Sequence, residues 1–439
     1  MSGNIKPGSA DIGTEAVRRV VPPRDQAVAR TIAVFQHAAA TVPKYHRFLH
    51  AKGVDPRQIT DAETFSSFVP LMGPDVSLPL SGVADSCPGG SAAHVGAITF
   101  RADDSGLIDF VAHPNRSESD HAEVVDWLLS IIAGVHERRT LVVFYGEEEM
   151  PIHTTLAHIR VGNRMSVFAA AMKRLTGCFD QALVVGPPEL LRQLMTRGIP
   201  STHLPPGFRV VWIAANNWFP LGLHTYLRDK AQNSNVEQQL AALCGIPLAG
   251  YRLHATPGLT LAREALARCP TVLRAFTGDW PVPPVIYWFD TDTLWIEELD
   301  DAPGPRPLAI TLTDRVPLSP VIRYRTGDYG RVIPFEVLQR MIIEIDLTQH
   351  IPPSSNHMFL LHAGLQPKTS PSREEVAEAL ARFPQLYELT TGEIEILDFR
   401  PPRVIIRINK GIELTRSLRL QFSRSLEPCF SRPVTIVIE

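Results

Sequence analysis

The chain has 439 residues, of which 44% are hydrophobic and 20% are charged, and its formal net charge is −3. This length is too great for one hydrophobic core, so we expect two or three domains. The charge excludes the basic footprint of a nucleic-acid-binding protein, and no apolar run is long enough to span a bilayer. Because the N-terminus is polar and lacks the apolar core of a signal peptide, we expect a cytoplasmic protein.

Helices and strands alternate through the first part of the chain. Residues 1–25 are predicted to form a flexible arm. Apolar periodicity predicts helices over 25–52, 117–132, 162–175, 188–197 and 222–243, and strands over 140–145, 182–185, 209–214 and 247–250. Strands that alternate with helices indicate an α/β core with largely parallel strands.

The chain becomes richer in strands after residue 284. Strand-like runs at 285–289, 293–297 and 308–313 predict a β-rich subdomain that forms a distorted barrel. Strands predicted at 358–362, 393–397, 403–408 and 434–438, with helices at 372–382 and 413–425, indicate a small α+β domain. The predicted organisation is an arm over 1–25, a large domain over 26–345, a linker over 346–356 and a small domain over 357–439.

Five cysteines are scattered along the chain without a CxxC pair, at positions 87, 178, 244, 269 and 429. Their odd number and their spacing argue against a zinc site and against a disulfide framework. We therefore expect no metal bound by cysteine. An isolated cysteine is most often a small buried hydrophobe, and a lone catalytic cysteine is the alternative.

The most informative stretch is YRTGD at 324–328, within VIRYRTGDYGRV at 321–332. It resembles a hallmark of the adenylate-forming superfamily, which includes acyl-CoA ligases, luciferases and peptide-synthetase adenylation domains. The segments at 42–59, 254–264 and 308–323 resemble phenylacetate–CoA ligases and acyl-protein synthetases of that superfamily. The resemblance implies a large N-terminal domain, made of α/β layers and a distorted barrel, and a small α+β C-terminal domain.

The resemblance also implies that the chain binds ATP and Mg²⁺. Asp328 would hold the ribose, because the two oxygens of a carboxylate suit a vicinal diol. Gly327 would permit the tight turn that aims Asp328. Arg325 and Thr326 would contact the nucleotide, with Thr326 at the phosphates. The alternative for this motif is a surface turn with an ion pair between Arg325 and Asp328.

The segment that corresponds to the family's phosphate loop is TFRADDSG at 99–106. In the family this loop is rich in Ser, Thr and Gly, and its amides and hydroxyls cradle phosphates. Ser105 and Gly106 keep that chemistry. Asp103 and Asp104 replace small hydroxyl residues, and their charges would repel a triphosphate unless a metal intervenes. A surface turn that binds no ligand is the alternative.

The family's Y-G-x-T-E motif reads YRLHA at 251–255. Tyr251 matches and would contact adenine, whereas Ala255 replaces a glutamate that binds Mg²⁺ in the family. His254 could donate a hydrogen bond to a phosphate or to a substrate carboxylate. It could equally be an ordinary packed histidine.

Two further positions of the nucleotide site are altered. Asn216 and Asn217 follow the predicted strand over 209–214, where they could bind the adenine edge or form a plain turn. The family also carries a catalytic lysine near the chain end. The last lysine here, Lys410, lies earlier than that position. Arg424 or Arg432 could provide the positive charge, although arginine and lysine are not interchangeable at a geometrically exact site.

Three functions stay open at this level. The first is ATP-dependent activation of a small aryl or acyl carboxylic acid as an acyl-adenylate, with transfer to CoA, a carrier-protein thiol or an amine in a biosynthetic pathway. His254 and Lys410 would then be the catalytic residues. The second is a catalytically degenerate homologue that binds a small molecule or acts as an adapter for a pathway enzyme. The third is a repurposed scaffold in which Asp103, Asp104 and His254 form a new acid/base or metal site. A homodimer is expected only from the general frequency of dimers.

Overall fold

The computed structural model of the protein describes most of the chain between residues 25 and 439. The described residues are 25–73, 82–102, 108–114, 117–135, 137–146, 152–197, 204–216, 218–221, 223, 236–246, 250–278, 280, 283–300, 304–313, 318–347, 358–365, 376–377, 379–380, 382–397, 401–430 and 433–439. The predicted arm before Asp25, most of the predicted linker, and Asp103, Asp104, Ser105, Gly106 and Asn217 lie outside these residues.

The described strands are β1 (Val95–Ala102), β2 (Ile108–Pro114), β3 (Thr140–Phe144), β4 (His158–Arg160), β5 (Gln181–Gly186), β6 (Arg209–Ala215), β7 (Glu237–Ile246), β8 (Gly250–Ala255), β9 (Val285–Phe289), β10 (Leu294–Glu298), β11 (Arg306–Leu312), β12 (Tyr324–Pro334), β13 (Met358–Leu365), β14 (Thr390–Leu397), β15 (Arg403–Ile408) and β16 (Thr435–Ile438). The helices are α1 (Asp25–Thr41), α2 (Pro43–Ala51), α3 (Ala62–Phe68), α4 (Ser117–Ala133), α5 (Met165–Leu175), α6 (Pro188–Arg197), α7 (Pro257–Arg268), α8 (Pro270–Thr277), α9 (Phe335–Glu344), α10 (Pro384–Leu389) and α11 (Arg416–Leu426).

One mixed sheet of 11 strands forms the centre of the molecule, in the order β10-β11-β12-β13-β9-β8-β7-β6-β5-β3-β4. The strands from β4 to β7 are parallel, whereas every pair from β7 to β10 is antiparallel. The predicted α/β class is therefore confirmed. The β-rich strands, which we expected in a separate subdomain, continue this sheet as its antiparallel half.

Apolar side chains cover both faces of the large sheet. On one face, Leu128 and Leu129 of α4 pack with Ile213 and Leu243. On the other face, Trp212 is almost fully buried in a cluster that extends over most of the strands. The buried centre of the sheet thus holds the strand ends in fixed positions, and these ends carry the polar residues described below.

The chain departs from the sequence prediction at β7. We expected a helix over 222–243, but residues 237–246 form a strand between β6 and β8. The sequence EQQLAALCGI is rich in good helix formers. Its burial between two strands overrides that propensity, because an unpaired backbone at this place would lose hydrogen bonds to both neighbours.

The predicted helix over 25–52 is divided into α1 and α2 at Val42. This residue has φ −100° and ψ 108°, which is extended backbone. The following Pro43 explains the break, since a proline ring disfavours helical geometry in the residue before it.

A second sheet, in the order β14-β15-β16, has its own apolar core around Phe422 and Leu426. β13, which we placed in the small C-terminal domain, pairs instead with β12 and β9 in the large sheet. A division of the chain that follows the sheets would fall after Leu365, and the domain boundaries stay a prediction.

Candidate functional site

The YRTGD motif opens β12, where the chain enters the large sheet. Gly327 has φ +86°, a left-handed conformation that favours glycine. The Asp328 amide donates a hydrogen bond to Thr326 Oγ1 at 3.1 Å. Thr326 is buried, and the side chain of Asp328 keeps 25% of its surface exposed. Gly327 therefore has the left-handed backbone expected of it, although it lies within β12, and the Asp328 carboxylate that follows it is partly exposed.

A buried ion pair fixes the chain just before this motif. Arg323 Nε lies 3.1 Å from Glu297 Oε2, and Ser66 Oγ donates to Glu297 Oε1 at 3.0 Å. The Arg323 guanidinium also donates to the Val69 carbonyl. Burial raises the pKa of Glu297, and the charge of Arg323 offsets part of that rise. The entry of β12 is thus held from both the sheet and the segment after α3.

Asp328 lies beside a buried histidine of the neighbouring strand. His362 Nε2 of β13 is 3.3 Å from Asp328 Oδ1. The imidazole of His362 makes edge contacts with the rings of Trp218, at 5.6 Å between centroids, and Tyr287, at 5.8 Å. The sequence analysis did not identify His362, because its place beside Asp328 depends on the pairing of β12 with β13.

Cys244 and Tyr287 continue this row of polar groups across β7 and β9. Burial raises the pKa of the Cys244 thiol to about 12, and the Asp328 carboxylate adds to the rise. Burial also raises the pKa of Tyr287 well above its usual value. The Cys244 thiol is 3.6 Å from the Gly245 carbonyl oxygen, to which it donates. Both groups are therefore neutral at physiological pH, which argues against Cys244 as a catalytic thiolate.

Asn216 and Tyr251 lie beside Gly245, the residue after Cys244, and Tyr251 packs in the apolar cluster on the α4 face of the sheet. Asn216 has φ +61°, a conformation that asparagine tolerates better than most residues. Its Oδ1 accepts a hydrogen bond from the Gly245 amide at 3.2 Å. Burial raises the pKa of the neighbouring Tyr251 to about 12, and a contact with the Asn216 side chain lowers it by less. The amide of Asn216 is exposed, so one polar group is available at this edge.

His254 lies on the opposite face of the sheet from Asp328. It pairs across strands with Leu243 and Trp288, and its imidazole is 4.4 Å from the Trp288 ring and 6.2 Å from the Trp127 ring of α4. Successive residues of a strand face opposite sides of the sheet. Tyr287 therefore lies on the face that carries His362, and Trp288 lies on the face that carries His254. His254 is fully buried, which favours the packed histidine over the ligand contact.

The remaining expected site residues lie apart from this row. The Arg325 side chain is exposed, and its amide donates to the Met72 carbonyl at 2.7 Å. Lys410 is exposed in the turn after β15, and the adjacent Asn409 bonds to Glu388 within the small unit. These contacts do not place Lys410 beside Asp328, so its catalytic role stays a prediction.

The donor set fits the ribose and adenine of a nucleotide better than it fits a metal. Asp328 supplies a partly exposed carboxylate, and Asn216 supplies an exposed amide. Ala255 offers no oxygen ligand where the family's glutamate would bind Mg²⁺. Among the described residues there is no group of three or more His, Cys, Asp or Glu side chains that could hold a metal ion. Within the same residues, no helix is long and apolar enough to cross a membrane.

Comparison with known proteins identifies the fold. A structure of 2-hydroxyisobutyryl-CoA ligase in the postadenylation state, in complex with 2-HIB-AMP, superposes with a TM-score of 0.61 and 14% sequence identity over 99% of this chain and 90% of that chain. The same ligase with R3-HIB-AMP gives 0.60 and 13% over the same shares. Its thioesterification state, with 2-HIB-AMP and CoA, gives 0.50 and 13% over 97% and 88%. No protein-family model and no curated protein sequence matches the chain.

The chain therefore has the fold of the adenylate-forming enzymes, as the YRTGD motif indicated. The similarity spans nearly the whole of both chains, so the shared fold includes the small C-terminal sheet. The closer resemblance to phenylacetate–CoA ligases stays a prediction.

Proposed function

We propose that this protein binds ATP and activates a small carboxylic acid as an acyl-adenylate. The observation that carries the proposal is the partly exposed carboxylate of Asp328, which follows the left-handed Gly327 and lies beside His362 within an adenylate-forming fold. In such an arrangement the carboxylate binds both ribose hydroxyls. A carboxylate oxygen of the substrate would attack the α-phosphorus of ATP, and the bond from that phosphorus to pyrophosphate would break, which gives the acyl-adenylate and free pyrophosphate.

The other residues take their roles from the resemblance to the adenylate-forming superfamily. Tyr251, Asn216 and Asn217 would contact the adenine, and Thr326, Arg325, Ser105 and Gly106 the phosphates. Mg²⁺ would enter with the phosphates of ATP, since position 255 supplies no carboxylate. The acyl group would pass to CoA, to a carrier-protein thiol or to an amine. Lys410, which is exposed after β15, and His254 would be the catalytic residues that the resemblance implies.

A second function is favoured by one specific observation. The fully buried His254 packs against Trp288 and Trp127, and Ala255 replaces an acidic residue. A protein that binds the nucleotide without turnover, and serves as a partner of a pathway enzyme, would tolerate both features. The two proposals share the nucleotide site and differ in catalysis.

Pyrophosphate exchange separates these proposals. Purified protein is incubated with ATP, Mg²⁺, labelled pyrophosphate and a panel of small aliphatic and aromatic acids. Acid-dependent formation of labelled ATP, abolished in Asp328→Ala, is the result expected of the ligase. ATP binding without exchange for any acid would favour the non-catalytic protein. An unchanged exchange rate in Asp328→Ala would contradict the assignment of the ribose site.

A further inference from the structure

The His362 imidazole is held in one orientation. It is 5% exposed and lies in β13, paired with Gly330 on one side and Val285 on the other. Edge contacts with Trp218 and Tyr287 restrict rotation of its ring. No described residue offers a hydrogen-bond partner to its Nδ1. The nitrogen that faces a partner is Nε2, at 3.3 Å from Asp328 Oδ1.

We propose that His362 is a positioning residue that orients the Asp328 carboxylate for a ribose diol. This inference rests on the proposed ATP site. His362 Nε2 lies 3.3 Å from Asp328 Oδ1, so a proton on Nε2 would let His362 donate to that oxygen and leave Oδ2 for the ribose hydroxyls.

Such a residue is needed because a partly exposed carboxylate can rotate. An aspartate side chain rotates about its terminal torsion, whose energy profile is broad. The two hydroxyls on adjacent ribose carbons can bind both carboxylate oxygens only when the carboxylate has one particular orientation. A carboxylate that already holds this orientation loses less conformational entropy when the nucleotide binds. Thr326 Oγ1 holds the backbone of Asp328, whereas His362 is the side chain beside its carboxylate.

Two variants and two nucleotides test the proposal. His362→Leu removes the donor at similar volume, and His362→Gln keeps an N–H at the position of Nε2. Binding of ATP and of 2′,3′-dideoxy-ATP is measured by calorimetry on the full chain, with circular dichroism to verify folding. The dideoxy nucleotide lacks both hydroxyls that Asp328 would bind, so its affinity reports on everything except that contact.

The expected result is a selective loss. Wild type should bind ATP at least about tenfold more tightly than the dideoxy nucleotide. His362→Leu should lower the affinity for ATP by about tenfold and change the affinity for the dideoxy nucleotide by less than about twofold. His362→Gln should restore most of the preference for ATP.

Several outcomes would overturn the inference, and they differ from failure of the ATP site. Equal weakening of both nucleotides in His362→Leu would indicate a merely structural role. An unchanged preference for ATP in His362→Leu, together with its loss in Asp328→Ala, would overturn the role of His362 and leave the ribose site intact. No ATP binding by wild type would overturn both.

Discussion

Gly330 permits a close approach between β12 and β13 next to the candidate site. A Cβ atom at this position would lie 2.6 Å from the Leu361 carbonyl oxygen and 3.0 Å from Leu360 Cδ1. The obstruction includes backbone, which cannot rotate away. Since Gly330 pairs with His362, this contact also sets the register that brings His362 beside Asp328.

We expect Gly330→Ala to lower the free energy of unfolding by about 1–3 kcal/mol, because the two strands must separate to accommodate the methyl group. Chemical denaturation measures this change. Gly177→Ala is the matched control, since no atom lies within 4 Å of a Cβ at that position. Equal stability of the two variants would show that the strands shift without cost.

The sequence identified part of the site for clear physical reasons. Gly327 and Asp328 belong to a contiguous motif whose local turn needs no distant partner. His362, Cys244 and Tyr287 carry no such signal, because they meet only through the register of β13 and the bulge near Cys244. Non-local pairing of this kind cannot be deduced from one sequence.

At the scale of elements, Arg192 joins α6, which packs on the large sheet, to the start of the sheet β14-β15-β16. It is 1% exposed, and its guanidinium donates to the Tyr387 carbonyl at 3.0 Å and to the Thr390 carbonyl at 2.8 Å. It also lies 4.0 Å from the centre of the Tyr387 ring, as a cation–π contact. Gln193 adds a hydrogen bond to the Thr391 carbonyl. These contacts fix α10 and the start of β14 against α6.

Arg192→Ala should lower the free energy of local unfolding of α10 and β14 by about 3 kcal/mol, because two buried carbonyls lose their hydrogen-bond donors. The measurement is hydrogen exchange, in which the amides of 384–397 should exchange faster while those of β5 and β6 keep their protection. Arg139→Ala, which removes an exposed ion pair with Asp180, should leave both regions unchanged. Unchanged exchange over 384–397 in Arg192→Ala would mean that other contacts hold the small sheet.

Elements were predictable where local pattern and tertiary role agree. Val285–Phe289 and Arg403–Ile408 are runs of β-branched and aromatic residues, and both are strands with the predicted bounds. β7 was missed because its alanines, leucines and glutamines favour a helix locally. β13 was found as a strand but placed with the wrong sheet, since pattern does not specify a partner.

At the scale of the whole molecule, the large sheet separates two groups of candidate residues. Asp328, His362, Tyr287 and Cys244 share one side, and His254 packs with two tryptophans on the other. This separation explains why the nucleotide proposal depends on the first group. Asp103 and Asp104, the other members of the expected acid/base cluster with His254, lie outside the described residues, so that cluster stays a prediction.

The N-terminal helices belong to the same assembly as the motif. Phe35 of α1, Tyr45 of α2 and Phe65 of α3 are buried together with Ile322, two residues before β12. Burial raises the pKa of the Tyr45 hydroxyl. We propose that the large unit extends from these helices through β13, and that the small unit follows Leu365.

Titration of the purified protein with ATP in the presence of Mg²⁺ tests the central claim most directly. Wild type should bind ATP with micromolar affinity. In Asp328→Ala the affinity should fall by at least about tenfold, because the ribose hydroxyls lose charge-assisted hydrogen bonds. Asp292→Ala, on an exposed turn before β10, is the control and should bind as wild type does. No heat of binding at millimolar ATP, or equal affinity in Asp328→Ala, would contradict a nucleotide site at Asp328.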